Sequence, residues 1–372
     1  MDKSTITGKF ILKRLQRNLQ RSSFLKKVGM KKKDMQGFLA EMPMQALADD
    51  LAAWMQENED PGKDAKPIDC RQLLEVCRPY LMEAGERACP GFEEPYGGWL
   101  DSIYRRILLW MYPNQGAKRP AADSLFPELF FCEVLQEMLQ IDKQRRQQII
   151  ADFDFAFLSA EEAEPYPAGE EYARFMKLSR DYYLYEFLVI GKALKPFDTL
   201  GHIAGVHYVA MHMARQLRIN DVPVDLAMVS AAAAAHDIGK FGCREEEIPR
   251  IPHLHYYYTD ELLLRMGLSG IAHIASNHST WDLELENLSC ENLLLIYADF
   301  RVKSIWNNGH EEICFYTLKQ AFDVILGKLE NVDQAKHDRY VRVYRKLRDF
   351  EDYMVSMGVR PELDETQTER LV

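Results

Sequence analysis

Five consecutive alanines, Ala231–Ala235, run directly into His236-Asp237-Ile238-Gly239-Lys240. This passage constrains the fold more than any other. Its apolar approach predicts a buried helix over about 223–239, and that helix delivers an imidazole and a carboxylate side by side into the interior. Left unpaired there, the two groups would cost several kcal/mol on the usual transfer scales. A metal ion would satisfy both, and the small alanine side chains would let neighbouring helices approach closely around it.

Other residues stand at spacings that complete a metal shell. His202 precedes His236 by thirty-four positions, His255 follows Asp237 by eighteen, His278 follows His255 by twenty-three, and Asp299 follows His278 by twenty-one. Periodicity places them on separate helices over about 200–217, 223–239, 253–266, 268–279 and 287–305, with two more helices over 311–329 and 333–356. A bundle can turn inward-facing residues of several helices toward one centre. Residues adjacent on a helix differ by about 100° in direction, so His236 and Asp237 can face the same centre, with Asp237 bridging two ions through its two oxygens. Four His and two Asp suit two divalent ions of intermediate hardness. Mixed nitrogen and oxygen ligation with open positions favours iron or manganese over a closed structural zinc. His253 stays open as an alternative to His255, and His273 as an alternative to His278. His207, His212, His310 and His337 have no spacing of this kind.

Such a centre suits hydrolysis of a phosphate ester or anhydride by a hydroxide bridging two metals, since bound ions lower the pKa of water. Catalytic work falls to Asp237 and Lys240. Lys240 lies one helical turn beyond His236 and is assigned to a substrate phosphate; the alternative is a solvated lysine answering the helix dipole. Arg301 and Lys303 follow Asp299 by two and four residues. Arg301 could hold a terminal phosphate bidentately, or form a surface ion pair.

The charge distribution makes these cations matter. Net charge is −11 over 372 residues, yet residues 1–33 hold eleven Lys or Arg against one acid, which leaves the rest at −21. An acidic body argues against broad nucleic-acid binding, which rests on neutralising phosphates. An anionic substrate, a nucleotide or another phosphorylated small molecule, must find its positive field locally. The seven cysteines, Cys70, Cys77, Cys89, Cys132, Cys243, Cys290 and Cys314, include no C-x-x-C pair. That fits a reducing cytoplasm rather than a disulfide framework. No apolar run reaches the ~20 residues needed to span a bilayer.

The length allows about two domains at the usual ~100–200 residues each. Residues 1–33 read as a basic amphipathic arm with a sparse stripe of Phe10, Ile11, Leu15, Leu19 and Leu25, either solvated or laid on a protein partner. Residues 34–158 read as a helical region without a motif, with helices over Met42–Met55, Cys70–Met82, Trp99–Met111 and Leu125–Met138 and breaks at Asp60-Pro61-Gly62, Cys89-Pro90-Gly91 and Tyr112-Pro113-Asn114. The acidic, proline-containing stretch Ala160–Gly169 is the linker candidate. A long helix over Glu170–Ala193 follows, ended by Lys195-Pro196. Asp198-Thr199 opens the next helix. Asn308-Gly309 marks a turn. In the last helix Tyr340, Val343, Tyr344, Leu347, Phe350 and Tyr353 form a stripe suited to intrachain packing or a partner seam. Residues 170–357 thus form the ligand-bearing domain, and 358–372 a polar tail. The fold class is all-α, a multi-helix bundle with a second, N-terminal helical region.

The order His202, His236-Asp237, Asp299, with His202-Ile203-Ala204-Gly205-Val206, Ala210 and Ala214 in the first helix, resembles that of the HD-domain metal-dependent phosphohydrolases over roughly residues 197–305. Within that superfamily the chain is most similar to the HD-type symmetric diadenosine tetraphosphate hydrolases. The matching elements are His255-Tyr256-Tyr257-Tyr258-Thr259, Asn277-His278-Ser279-Thr280 and Tyr297-Ala298-Asp299. The resemblance implies that all six ligands of a di-iron site are present. Phe300-Arg301-Val302-Lys303 departs from the acidic-proline step usual after the last Asp. HD-GYP phosphodiesterases are similar at Trp281-Asp282, but Leu283-Glu284-Leu285 has no Gly-Tyr-Pro and Asn277 stands where those proteins pair a second His. Guanosine tetraphosphate hydrolases carry Glu-Asp shortly after the HD pair, where this chain has Lys240-Phe241. A competing reading, of a different class, is a catalytically weak HD-fold module that regulates or binds proteins.

Overall fold

In the computed structural model, the described residues are 6–57, 68–113, 125–146, 155, 157–195, 199–279, 283, 288–307, 310–328 and 333–363. The chain is overwhelmingly helical and divides into two compact units, residues 1–150 with 179–195, and residues 151–178 with 196–372. None of the helices among the described residues is long and apolar enough to cross a membrane.

The first unit holds α1 (Gly8–Leu19), α2 (Ser22–Val28), α3 (Lys32–Glu41), α4 (Met44–Glu57), α5 (Cys70–Ala88), α6 (Trp99–Met111) and α7 (Phe126–Arg146). The predicted breaks at Cys89-Pro90-Gly91 and Tyr112-Pro113 fall between helices, while Asp60-Pro61-Gly62 and Asn114 lie outside the described residues. The expected basic arm is not a separate arm. Ile11, Leu15 and Leu19 recur every fourth residue and are fully buried, and α1 packs on α4 and α7. Its cations explain the packing. Arg14 pairs with Glu137, Arg21 with Glu133 at 2.6 Å, and Asn18 donates to Glu137 Oε2 at 2.7 Å. The basic segment thus neutralises acids that α7 would otherwise bury unpaired.

The long helix expected over Glu170–Ala193 is broken. Between α8 (Ala160–Ala163) and the next ligand-bearing helix lie α9 (Gly169–Asp181) and α10 (Leu184–Leu194). Tyr183 separates them in the left-handed region at φ 56°, a conformation that a non-glycine residue adopts only against a steric cost. A long-range bond offsets that cost, because Tyr183 is buried and its hydroxyl donates to Glu133 Oε1 at 2.7 Å. Residues 179–195 accordingly cluster with the first unit.

In the second unit the linker candidate proves ordered. Ser159 and Glu162 form a reciprocal capping box on α8, and the Ala168 amide donates to Asp225 Oδ2 at 2.8 Å. Then come α11 (Thr199–Ile219), α12 (Leu226–Ala235), two 3-10 turns (Ile238–Gly242 and Glu245–Arg250), α13 (Ile251–Arg265), α14 (Ser269–Ser276) and α15 (Cys290–Arg301). α11 packs on α12 and α15, and α13 on α14 and the first 3-10 turn. Asp198, Thr280, Trp281, Asp282, Glu284 and Leu285 lie outside the described residues.

One correction concerns the C-terminal part. The helices expected over 287–305 and 311–329 give up their facing ends to a hairpin, β1 (Val302–Asn307) antiparallel to β2 (His310–Phe315), in the register Val302↔Phe315 and Ser304↔Ile313. β-branched and aromatic residues favour a strand here. The predicted Asn308-Gly309 turn itself falls outside the described residues. Gly205 of α11 admits the hairpin: a Cβ there would stand 3.0 Å from Val302 Cγ1. α16 (Leu318–Lys328) and α17 (Gln334–Ser356) complete the unit, with Val343, Leu347, Phe350 and Met354 of α17 buried within the chain. The tail begins docked, since Val359 is buried and the Arg360 amide donates to Gln216 Oε1 at 2.8 Å. Residues 364–372 are outside the described set.

Candidate metal centre

The fold brings together all six residues singled out by spacing. His202 sits in the first turn of α11. His236 is the residue at which α12 stops, and Asp237 opens the 3-10 turn that follows. His255 projects from α13, His278 stands just beyond α14, and Asp299 lies in α15. Three of the six, His236, Asp237 and His278, therefore sit just past helix ends rather than within helices. Ala231–Ala235 are fully buried, in keeping with close packing around the ligands.

Asp237 is the hub. Its Oδ2 is 3.3 Å from His202 Nε2 and 3.5 Å from His236 Nε2. Its Oδ1 is 3.4 Å from His255 Nε2 and 3.9 Å from His278 Nε2. Asp299 Oδ1 adjoins the first pair, 3.1 Å from His202 Nε2 and 4.0 Å from His236 Nε2. Two overlapping ligand groups result, His202-His236-Asp237 and Asp237-His255-His278, each able to hold a metal ion. The chemistry of the donor set is that of a divalent cation site.

Tautomers give this a physical test. The Nδ1 of His236 lies 2.8 Å from the Ala233 carbonyl, that of His255 2.7 Å from the Ile251 carbonyl, and that of His278 2.5 Å from the Ala275 carbonyl. A carbonyl only accepts, so each Nδ1 carries the proton, and in a neutral ring Nε2 is then a bare acceptor. Burial pushes the pKa of all three down, that of His278 to about 3. The rings are neutral, and their acceptors converge. His255 and His278 present Nε2 atoms 3.3 Å apart. A hydrogen bond between them would force one ring to surrender its bond to a carbonyl. His236 Nε2 is buried without a hydrogen-bond partner among the described residues, at a cost of about 1–3 kcal/mol. Acceptors aimed at acceptors fit a cation, and the backbone bonds are the outer contacts that commonly orient metal-bound histidines.

The carboxylates match. Burial opposes ionisation of Asp237, but Lys240 and the hydrogen bond from His202 outweigh it and hold the group well below the usual carboxylate range. Burial likewise opposes ionisation of Asp299, and Lys303 and His202 outweigh it. His202 is the exception among the rings: burial disfavours its charged form, and hydrogen bonds to Asp237 and Asp299 raise its pKa nonetheless.

The expected phosphate ligands diverge. Lys240 Nζ stands 2.5 Å from Asp237 Oδ2 with a third of the side chain exposed, so it belongs to the site. Lys303 Nζ donates to the Asp299 carbonyl at 2.6 Å. Arg301 is neither a phosphate clamp nor a surface ion pair. It is buried and donates to the Tyr316 carbonyl at 2.6 Å, the Tyr297 hydroxyl at 2.9 Å and the Pro361 carbonyl at 2.8 Å. Its Nε and Nη1 tie α15 to the residues after the hairpin and after α17.

The alternatives His253 and His273 are exposed and not in the cluster; Asn277 caps back onto the His273 carbonyl at 2.7 Å. His207 is buried against Ser230 at 3.0 Å. Sequence reasoning passed over two neighbours of the site. The ring of Tyr256 lies 3.8 Å from that of His255 and 4.6 Å from that of His278, centroid to centroid. Thr259 bonds to the backbone around Asp237. The second had a visible signal, a hydroxyl one helical turn after His255.

Comparison with known protein families gives a match over part of the chain: residues 199–300 match the family described as HD domain. This stretch is similar to an HD domain. The match spans all six candidate ligand positions and stops in the helix that carries Asp299. HD domains make up a superfamily of metal-dependent phosphohydrolases and bind divalent metals, which supports a hydrolase here. No curated protein and no solved structure matches the chain.

Proposed function

We propose that the HD domain is the catalytic centre of a phosphohydrolase that holds two divalent ions, iron or manganese, and cleaves a phosphoester or phosphoanhydride bond of a nucleotide or dinucleotide. The observation that carries this reading is the division of labour at Asp237: one carboxylate oxygen faces His202 and His236, the other faces His255 and His278. When bound, such ions supply Lewis acidity toward phosphoryl oxygens and lower the pKa of the attacking water. The chain supplies everything else. Asp237 keeps the two ligand groups in one frame, Asp299 adds negative charge on the His202 side, and the carbonyl-tethered imidazoles keep their acceptors aimed inward. Lys240 offers its ammonium to a substrate phosphate at the exposed side of Asp237. The motif order supports the dinucleoside polyphosphate class, and the absence of a Gly-Tyr-Pro step in the sequence disfavours cyclic dinucleotides.

Asp237→Ala tests the reading directly. The variant should lose bound metal and hydrolysis together while its far-UV helical signal persists. The wild type, prepared without chelator and without oxygen, should hold close to two metals per chain. Screening both proteins against dinucleoside polyphosphates, cyclic dinucleotides and nucleoside monophosphates then names the substrate. Hydrolysis that survives undiminished in Asp237→Ala defeats the proposal.

A further inference from the structure

We infer that Thr259 is a positioning residue for the metal centre, its hydroxyl pinning the turn that carries Asp237 to the helix that carries His255; the inference rests on reading the centre as a metal site. α12 stops at Ala235, so the His236 carbonyl is among those that a helix end leaves without an intrahelical amide. Three residues on, the Gly239 amide also turns inward. Thr259 Oγ1 donates to the His236 carbonyl at 3.0 Å and accepts from the Gly239 amide at 3.0 Å. A hydroxyl has one proton to give and lone pairs to receive, so this one side chain satisfies both groups. Its two anchors straddle Asp237.

The clamp reaches the ligands through geometry. Thr259 is fully buried and lies one turn beyond His255 on α13, on the same face. Gly239 permits the approach, because a Cβ there would collide with the His255 carbonyl and with the amide and hydroxyl of Thr259. The 3.4 Å separation of Asp237 Oδ1 and His255 Nε2 is therefore held by a backbone-to-hydroxyl lock four residues away, not by direct bonding of the two ligands. Valine has the same shape without the hydroxyl. It would leave a buried carbonyl and a buried amide unpaired and let the turn move against α13.

The test uses the full chain as wild type, Thr259→Ser, Thr259→Val and His255→Ala, each stripped with chelator and titrated with Mn2+ alone. Bound Mn2+ is followed by electron paramagnetic resonance, and helicity by circular dichroism. Thr259→Val should bind Mn2+ about tenfold or more weakly, the scale of an outer partner's loss, and Thr259→Ser should recover most of that loss. Should Thr259→Val not fold, Thr259→Ala takes its place with the same expectations. Wild-type Mn2+ binding by the variant lacking the hydroxyl overturns the inference. So does a serine variant as weak as valine, which would assign the effect to the methyl group. Equal Mn2+ binding by wild type and His255→Ala is a different result and brings down the metal-site reading itself.

Discussion

Both units of this protein bury a cluster of ionisable side chains, and the two clusters are built on opposite rules. In the first unit acids meet donors. Glu133 accepts from Arg21 and from the Tyr183 hydroxyl, Glu137 from Arg14 and Asn18, and Glu128 from Ser102 and Arg106. Paired in this way, buried charges are tolerated. In the second unit acceptors outnumber donors: the Nε2 atoms of His255 and His278 face each other and Asp237 Oδ1, and His236 Nε2 has no hydrogen-bond partner among the described residues. A closed cluster stabilises or specifies a fold. A cluster with surplus acceptors is unfinished until a cation arrives. The distinction lies in the balance of donors and acceptors, not in burial or in the number of charges.

The comparison is most exposed to a substitution in the closed cluster. Glu133→Ala strands the buried Tyr183 hydroxyl and removes the carboxylate partner of Arg21, and should cost about 3 kcal/mol, the lower end of the range for removing one partner of a buried pair. Urea denaturation of the metal-stripped full chain measures it. Loss of Glu133 at under about 1 kcal/mol, within the ordinary range of surface changes, would mean that the first cluster is not the structural element described here.

A smaller effect, of opposite sign, is expected at Glu186, where the closed cluster is imperfect. Gln136 donates to its Oε1 at 3.2 Å, while Oε2 is buried without a hydrogen-bond partner among the described residues. Burial pushes the carboxyl up to about 7, against the hydrogen bonds from its own amide and Gln136; Glu133 adds to the rise and Lys27 opposes it. With a folded value above the unfolded one, the native state holds the proton more tightly. The stability tied to that proton is complete below about pH 4.5 and is lost as pH climbs through about 7. Glu186→Gln removes the titration. It should gain on the wild type between pH 5 and pH 7.5, by on the order of 3 kcal/mol at most. A difference between the two proteins that stays flat with pH would show that Glu186 is not a strained acid.

The two clusters also differed in how far they could be read from the sequence. The ligand set was legible because metal chemistry selects residue types and helical spacing needs no knowledge of packing. His202, His236, Asp237, His255 and His278 lie in two overlapping groups, and Asp299 Oδ1 adjoins His202. The closed cluster was invisible, because its partners stand far apart. Arg14 and Arg21 read as a solvated arm until the acids of α7, more than a hundred residues on, are brought beside them. The break at Tyr183 had the same origin, since it depends on Glu133 fifty residues earlier. The hairpin was missed for another reason: Val302–Asn307 is only six residues long and mixes apolar with polar side chains, and at that length periodicity does not separate strand from helix.

Arg301 shows how a legible feature was still misread, and it supplies the mildest test. It follows Asp299 by two residues, which at about 100° per residue turns it some 200° away, to the far side of α15 from the metal ligands. There its guanidinium serves the Tyr316 and Pro361 carbonyls and the Tyr297 hydroxyl. A lysine keeps the charge but cannot reproduce a planar fork serving three acceptors. Arg301→Lys should therefore lower stability by about 1–3 kcal/mol, the scale of buried groups left unpaired, and leave the KM for a phosphate substrate unchanged at temperatures where the variant is folded. The same measurement on Lys240→Ala should move the kinetics, because that ammonium stands 2.5 Å from Asp237 Oδ2 with a third of its side chain exposed. A raised KM in Arg301→Lys would restore this arginine to the substrate site. Unaltered kinetics in Lys240→Ala would remove this lysine from the substrate site.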